Sequence, residues 1–145
     1  LLDGPKPSVE TAFHTGLLQK RPDINTVLHF QSSYATVLCC RDLSEINFNV
    51  IPEIPYYMGN PAILSCLPPG SEELADAVVD AGVNHDMILL ANHGQVVVGE
   101  NPDAAMQKAV FFELACRILV QNAGKSIPIP DAEAEKLRTS GRGRV

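Results

Sequence analysis

The sequence predicts an α/β fold in one domain, and three observations carry that expectation. Short runs of apolar residues with strand character alternate with longer stretches whose apolar positions recur at helical spacing. The chain has 145 residues, the size of one domain with an ordinary buried core. Hydrophobic residues make up 46% and charged residues 19%, a globular balance rather than that of a disordered chain.

The elements follow in order. Val9, Ala12, Phe13, Gly16 and Leu17 fall on one helical stripe, and Arg21-Pro22-Asp23 ends it because Pro22 disfavours helical geometry in the residue before it. INTVLHF then reads as a short buried strand, and SSYATVLCC, opening on serines, as a second helix. Residues 42–60 contain Pro52, Pro55 and Gly59 and read as an irregular connection with room for one short strand. AILSC is a brief strand and LPPGS a turn. Ser71 caps a helix whose first turn carries Glu72 and Glu73, where carboxylates favour the helix dipole. Its inner stripe is Leu74, Ala75, Val78 and Val79, with Asp76 and Asp80 facing out. MILLANHG is a buried strand stopping at a polar triplet, and QVVVG is its hairpin partner. Asn101-Pro102-Asp103 starts a largely apolar helix over 103–122. SIPIP ends regular structure, so residues 131–145 are expected as a polar, basic tail after a domain spanning 1–130.

Charge and composition exclude several functions. The net charge of −6 argues against binding a nucleic-acid backbone, which needs clustered Lys and Arg. The one basic group, Lys136, Arg138, Arg142 and Arg144, sits among Thr, Ser and Gly and reads as solvated. No apolar run reaches the ~18–20 residues that span a bilayer. LLDGPKP has no charged segment leading into an apolar one, so no signal peptide is read there; without an initiator Met, an upstream segment is left open. None of Cys39, Cys40, Cys66 and Cys116 forms a C-x-x-C pair, and the runs TVLCC, AILSC and LACRIL read as buried thiols in a reducing, cytoplasmic compartment.

Three places concentrate residues able to do chemistry. Glu10 opens the first helix, where a carboxylate by itself complements the dipole. His29 and Gln31 close the first strand, and alternation puts both on one face about 7 Å apart, within reach of one ion. An amide oxygen is nonetheless a poor zinc donor beside imidazole. His93, followed by Gly94, stands at the mouth of the sheet where a buried strand stops. A carboxylate and two strand-end histidines are what a Lewis-acid metal with a nearby base requires. His14 and His85 read as surface residues. No phosphate-cradling glycine loop, no G-x-S-x-G elbow and no lysine in an apolar strand is present, which removes nucleotide binding, serine hydrolysis and Schiff-base chemistry as leading readings.

In order and spacing, PSVETAFHTGLLQKRPDINTVLHFQS, EIPYYMG, PPGSEELADAV, ANHGQVVVGE and AVFFELACRI resemble the class II aldolase/adducin family from about residue 4 to 120. That resemblance implies a three-layer α/β/α fold with a mostly antiparallel central sheet, four-fold symmetric homotetramers, and sites at subunit interfaces. It implies Zn²⁺, or another divalent metal, held by histidines: His29 matches the first, His93 the third, and Gln31 stands where the family has its middle one. Gln31 is then a weaker oxygen ligand, or water takes its place, or the site holds no metal. By position Glu10 matches the family's acid/base, Ser8 a phosphate-contacting serine, and Tyr56 the tyrosine that reaches a neighbouring subunit's site, with Tyr57 one residue away. Val9 replaces a second phosphate serine, and the family's upstream Gly-Asn-x-Ser phosphate loop precedes the residues of this chain. The implied activity is retro-aldol cleavage of a small sugar phosphate or related hydroxy-ketone through a metal-bound enediolate. Two alternatives stand beside it: a non-catalytic adducin-type assembly domain, favoured by Gln31, and a pentulose-phosphate epimerase, disfavoured because that branch carries Asp at the Glu10 position.

Overall fold

A computed structural model describes residues 4–123 and 125–142. Among the described residues four strands, β1 (Thr26–Phe30), β2 (Ala62–Leu64), β3 (Met87–Leu90) and β4 (Gly94–Gly99), form one sheet in the order β1-β4-β3-β2. β1 pairs antiparallel with β4 and β4 with β3, while β2 joins β3 in parallel, so the sheet is mixed with antiparallel pairing dominant. Around it lie α1 (Thr11–Lys20), α2 (Ser33–Cys39), α3 (Glu53–Tyr57), α4 (Glu72–Gly82), α5 (Pro102–Gln121) and α6 (Asp131–Arg142).

Strand alternation divides the core into two layers. Met87, Leu89 and Val97 point to one face and pack with α2 residues Ala35 and Leu38, Ile54 of α3, and α5 residues Ala109, Phe112 and Cys116. Ile88, Leu90, Val96 and Val98 point to the other, against Phe13 and Leu17 of α1 and Leu74 and Val78 of α4. Every residue of β3 and β4 is buried, as expected for strands covered on both faces, and this explains the unbroken apolar run of β3 and the three valines of β4. Ser71 and Asn101 accept hydrogen bonds from the amides of Leu74 and Ala104, so both predicted helix starts are capped as the sequence implied. At the edge where α1, β3 and α5 meet, Asp86 receives Arg21 at 2.9 Å and the Lys108 ammonium at 2.6 Å.

Several expectations change. Val9 is 70% exposed and lies before α1, whose buried stripe is Phe13 and Leu17 alone. The 42–60 connection contains helix α3 rather than a strand: the prolines sit at its start and first turn, where a missing amide costs nothing. Residues 131–142, expected as a solvated tail, form α6. It packs on α3, with Gly141 against the Tyr56 backbone and Ala134 fully buried, while Lys136 and Arg138 pair with Glu133 and Glu135 on its own surface. Arg144 lies outside the described residues, as do 1–3. Cys39 and Cys116 are buried, but Cys40 and Cys66 are exposed, the first past the end of α2 and the second beyond β2. No helix among the described residues is long and apolar enough to cross a membrane.

Candidate metal centre

The first histidine is placed by β-sheet register. His29 lies opposite Val96 of β4 and faces the α1 layer, where Phe13 meets its ring edge-on at 5.4 Å. Its Nδ1 lies 3.0 Å from the backbone oxygen of Gln95. A carbonyl can only accept, so Nδ1 carries a proton, and in the neutral ring Nε2 presents a lone pair.

The second histidine is placed by the β3–β4 turn. Asn92 takes a left-handed conformation (φ 58°) and its amide bonds to the Cys39 carbonyl, which swings His93 towards the α1 side. The two rings stand edge to face with centroids 4.9 Å apart.

Glu10 comes from the residue that leads into α1. The Ser8 hydroxyl accepts from the Glu10 amide at 3.2 Å, and the Ser8 carbonyl accepts from the amide and hydroxyl of Thr11. That turn frees the Glu10 carboxylate from capping, and it reaches both rings: Oε2 lies 3.1 Å from His29 Nε2 and Oε1 3.4 Å from His93 Nε2. The three side chains are 11%, 9% and 14% exposed.

These atoms suit a cation. One ligand atom from each of Glu10, His29 and His93 lies within 4.8 Å of the others. Bonds of about 2.1 Å in a tetrahedral site put neighbouring ligand atoms ~3.4 Å apart, close to the two carboxylate–imidazole distances. In the neutral ring the Nε2 lone pair of His29 and the Glu10 oxygen are both acceptors at 3.1 Å, an arrangement that a shared cation, a metal ion or a proton, relieves. Glu10 Oε1 and His93 Nδ1 are buried with no hydrogen-bond partner. The donor set therefore fits a divalent ion such as zinc.

Other sequence candidates fall elsewhere. Gln31 follows the last residue of β1 and is exposed, beside Gly94, so strand alternation no longer governs where it points. Tyr56, on α3, lines a cavity of about 330 Å³ with Arg21, Asp86 and Lys108. Those residues border the starts of β1 and β3 and the end of β4, the opposite end of the sheet from His29 and His93. Within one chain, Tyr56 and the Glu10 cluster are apart. His14, read as a surface residue, is half-buried and stacked on Phe13 at 4.7 Å; burial and the nearby His29 push its pKa down. His85 lies near Asn60, its Nδ1 2.9 Å from that residue's carbonyl.

Sequence reasoning missed a polar chain behind His29. Gln95, fully buried in β4, donates from Nε2 to the Ser32 hydroxyl at 2.6 Å. Ser32 donates in turn to Glu113 of α5 at 2.6 Å. Glu113 also accepts from the amides of Tyr34 and Ala35 at the start of α2. The available signal was polar residues inside apolar runs, in GQVVVG and FFELAC.

The family model described as Class II Aldolase and Adducin N-terminal domain matches residues 1–120. This chain belongs to that family. It is 31% identical, over 98% of its length, to the 3-oxo-tetronate 4-phosphate decarboxylase of Haemophilus influenzae, and covers 70% of that protein. To the protein of the same name in Escherichia coli (strain K12) it is 31% identical over 81% of its length, covering 57% of the relative. The 5-methylthioribulose-1-phosphate/5-deoxyribulose-1-phosphate aldolase of Rhodospirillum rubrum is 33% identical over 76% of the chain, which spans half of that relative. Among solved structures, YgbL of Escherichia coli superposes with a TM-score of 0.87 at 27% identity, over 94% of this chain and 68% of that one. An L-fuculose 1-phosphate aldolase superposes at 0.83 and 28%, over 96% and 66%. The family thus includes aldolases and decarboxylases, and the three-layer class II aldolase fold expected from the resemblance is the fold observed.

Proposed function

We propose that this chain is the metal-binding part of a carbon–carbon lyase acting on a small sugar phosphate or related hydroxy-ketone. The observation that carries the reading is the convergence of Glu10, His29 and His93 on one point. A divalent ion bound there would supply Lewis acidity, stabilising negative charge on substrate oxygens as the bond breaks. His29 and His93 would hold that ion, with Gln31 a further oxygen donor only if its exposed side chain turns inward.

Glu10 does the proton work. When a carbon–carbon bond next to a carbonyl breaks, the electron pair stays on the carbon adjoining that carbonyl and a proton must be returned to it. Glu10 is suited to deliver it, because its carboxylate is nearly buried, touches both histidines and has one oxygen without a hydrogen-bond donor. Ser8, exposed one turn away, is available to a phosphate group. Tyr56 acts on the aldehyde side only if a neighbouring copy brings its α3 to this site, so the proposal includes a homo-oligomer, a tetramer by resemblance. Tyr57, stacked on Phe111, is committed to packing.

Two bond cleavages share this requirement. Retro-aldol cleavage releases an aldehyde, whereas decarboxylation of a 3-oxo acid releases carbon dioxide; both leave the pair on the same type of carbon. The 31% identity to 3-oxo-tetronate 4-phosphate decarboxylases over most of the chain supports the second reading. The test is to incubate zinc-loaded protein separately with L-fuculose 1-phosphate, 5-deoxyribulose 1-phosphate and 3-oxo-tetronate 4-phosphate, and to measure aldehyde and carbon dioxide. Turnover lost in Glu10→Gln is the expected result. Zinc binding without turnover of any of them by protein extended to the relatives' full length would refute the lyase reading in favour of an adducin-type assembly domain.

A further inference from the structure

We propose that Glu113, Ser32 and Gln95 form a positioning chain that fixes the tautomer and orientation of His29, and so presents its Nε2 to the metal position. The inference rests on the metal-centre reading above and deepens it.

The argument begins with cost. A glutamine side chain buried in the middle of a sheet loses its hydration, and each of its polar atoms left unpaired is unfavourable. Gln95 has no solvent exposure and its Oε1 has no partner, so it is poorly suited to a purely structural role at a strand position paired with Phe30 and Leu89. A leucine there would continue the apolar layer of Met87, Leu89 and Val97. What the glutamine adds is an anchored strand. Its Nε2 holds Ser32, which holds Glu113, and these links run on the α2–α5 side of the sheet. Its backbone oxygen serves the other side, where it takes the proton of His29 Nδ1.

Both ends of the chain bear on His29. Ser32 lies three residues after His29 and opens α2, so tying it to Glu113 fixes the exit of β1. Tying it also to Gln95 holds β1 and β4 together at the level where the imidazole meets the carbonyl. Second partners of this kind set which ring nitrogen is free for a metal, and their loss commonly costs ~10–100-fold in metal affinity.

Glu113 has a second task, because it also accepts the amides of Tyr34 and Ala35 and thereby caps α2. Glu113 variants therefore confound positioning with folding. Ser32→Ala separates the two: it leaves the carboxylate on both amides while removing the Ser32 hydroxyl's bond to Glu113 together with the link to Gln95. Gln95→Leu cuts the same link from the other side while keeping the volume and the backbone carbonyl.

The experiment measures two properties of the purified chain and both variants. The first is the His29 tautomer in metal-free protein, read from ¹⁵N chemical shifts at alkaline pH, where the ring is neutral. The second is zinc affinity, by competition with a chromophoric chelator. The parent should show one tautomer, protonated on Nδ1, and each variant a mixture, with zinc affinity lower by ~10-fold or more and circular dichroism unchanged. Folded variants that keep the single tautomer and bind zinc within twofold of the parent would overturn the proposal. A parent that binds no zinc would instead refute the metal reading. The tautomer comparison, which needs no ion, would then decide the positioning claim by itself.

Discussion

Replacing Gly94 by alanine tests whether the strand pairing sets the candidate metal site. Gly94 is the first residue of β4, next to His93 and opposite the end of β1. A methyl group built there would lie 2.8 Å from the backbone oxygen of Phe30 and 3.0 Å from Cγ of Gln31. Ordinary carbon contacts begin at about 3.4 Å, so β1 and β4 must separate by ~0.6 Å at that level, and backbone yields less readily than a side-chain tip. Overpacking of this size costs ~1–3 kcal/mol, or roughly 3–9 °C in Tm for a domain of this length. The same opening stretches the 3.0 Å contact between His29 and the Gln95 carbonyl, one residue along, and moves the two histidines apart. Zinc affinity should therefore fall by an order of magnitude or more. Gly99→Ala is the control. At the far end of the same strand its methyl would sit 2.6 Å from the Ala105 amide nitrogen, so it should lower Tm at least as much. It should leave zinc affinity unaltered. Thermal unfolding and chelator competition on both variants give the answer. If Gly94→Ala keeps full zinc affinity, or if the two variants lose it equally, register is not what assembles the site.

Four further outcomes follow from other contacts in the fold. Asp86→Ala leaves the Lys108 ammonium, 13% exposed, without its counter-charge, while the Arg21 guanidinium keeps Asp23 at 2.6 Å; urea unfolding should show a loss of ~2–3 kcal/mol, below the fully buried value because Asp86 is partly solvated, and a loss under about 1 would refute the pairing argument. Asn92→Val forces a β-branched residue into the left-handed region and should cost ~1–2 kcal/mol, whereas Asn92→Gly should be nearly neutral in the same assay. Burial pushes the Cys39 thiol up to about 11 from 9.0, so the unfolded chain releases that proton first. Stability is then whole below about pH 9 and falls by ~1.4 kcal/mol per pH unit towards 11, a slope that Cys39→Ala should reduce. At neutral pH, alkylation should label exposed Cys40 and Cys66 quickly, and buried Cys39 and Cys116 only on unfolding.

Much of the fold was legible because its signals are local. The capping residues Ser71 and Asn101 and the apolar runs of β3 and β4 state their structure within a few residues, and the structure agrees. Val9 misled because one more apolar residue at helical spacing is indistinguishable from a core position until the turn at Ser8 is seen. The segment 131–142 misled for a related reason: a helix with few apolar residues offers a weak pattern, and its seat on α3 is made only in the folded chain.

The candidate site divides along the same line. Sequence by itself determined which residues have the right chemistry: a carboxylate at a helix start, a histidine at each of two strand ends, and no lysine or glycine loop to compete with them. It also determined family membership, through the order and spacing of those segments. Only tertiary structure decided that Glu10, His29 and His93 meet, that Tyr56 lies at the other end of the sheet, and that Gln31 stays outside. The physical reason is that residues 10, 29 and 93 are joined by no local rule. They converge because antiparallel pairing brings the end of β1 beside the start of β4, and because Phe13 and Leu17 seat α1 on that face. The chain behind His29 depended on folding for the same reason, since Glu113 and Gln95 are separated in sequence and bridged by Ser32 only once α5 packs on α2.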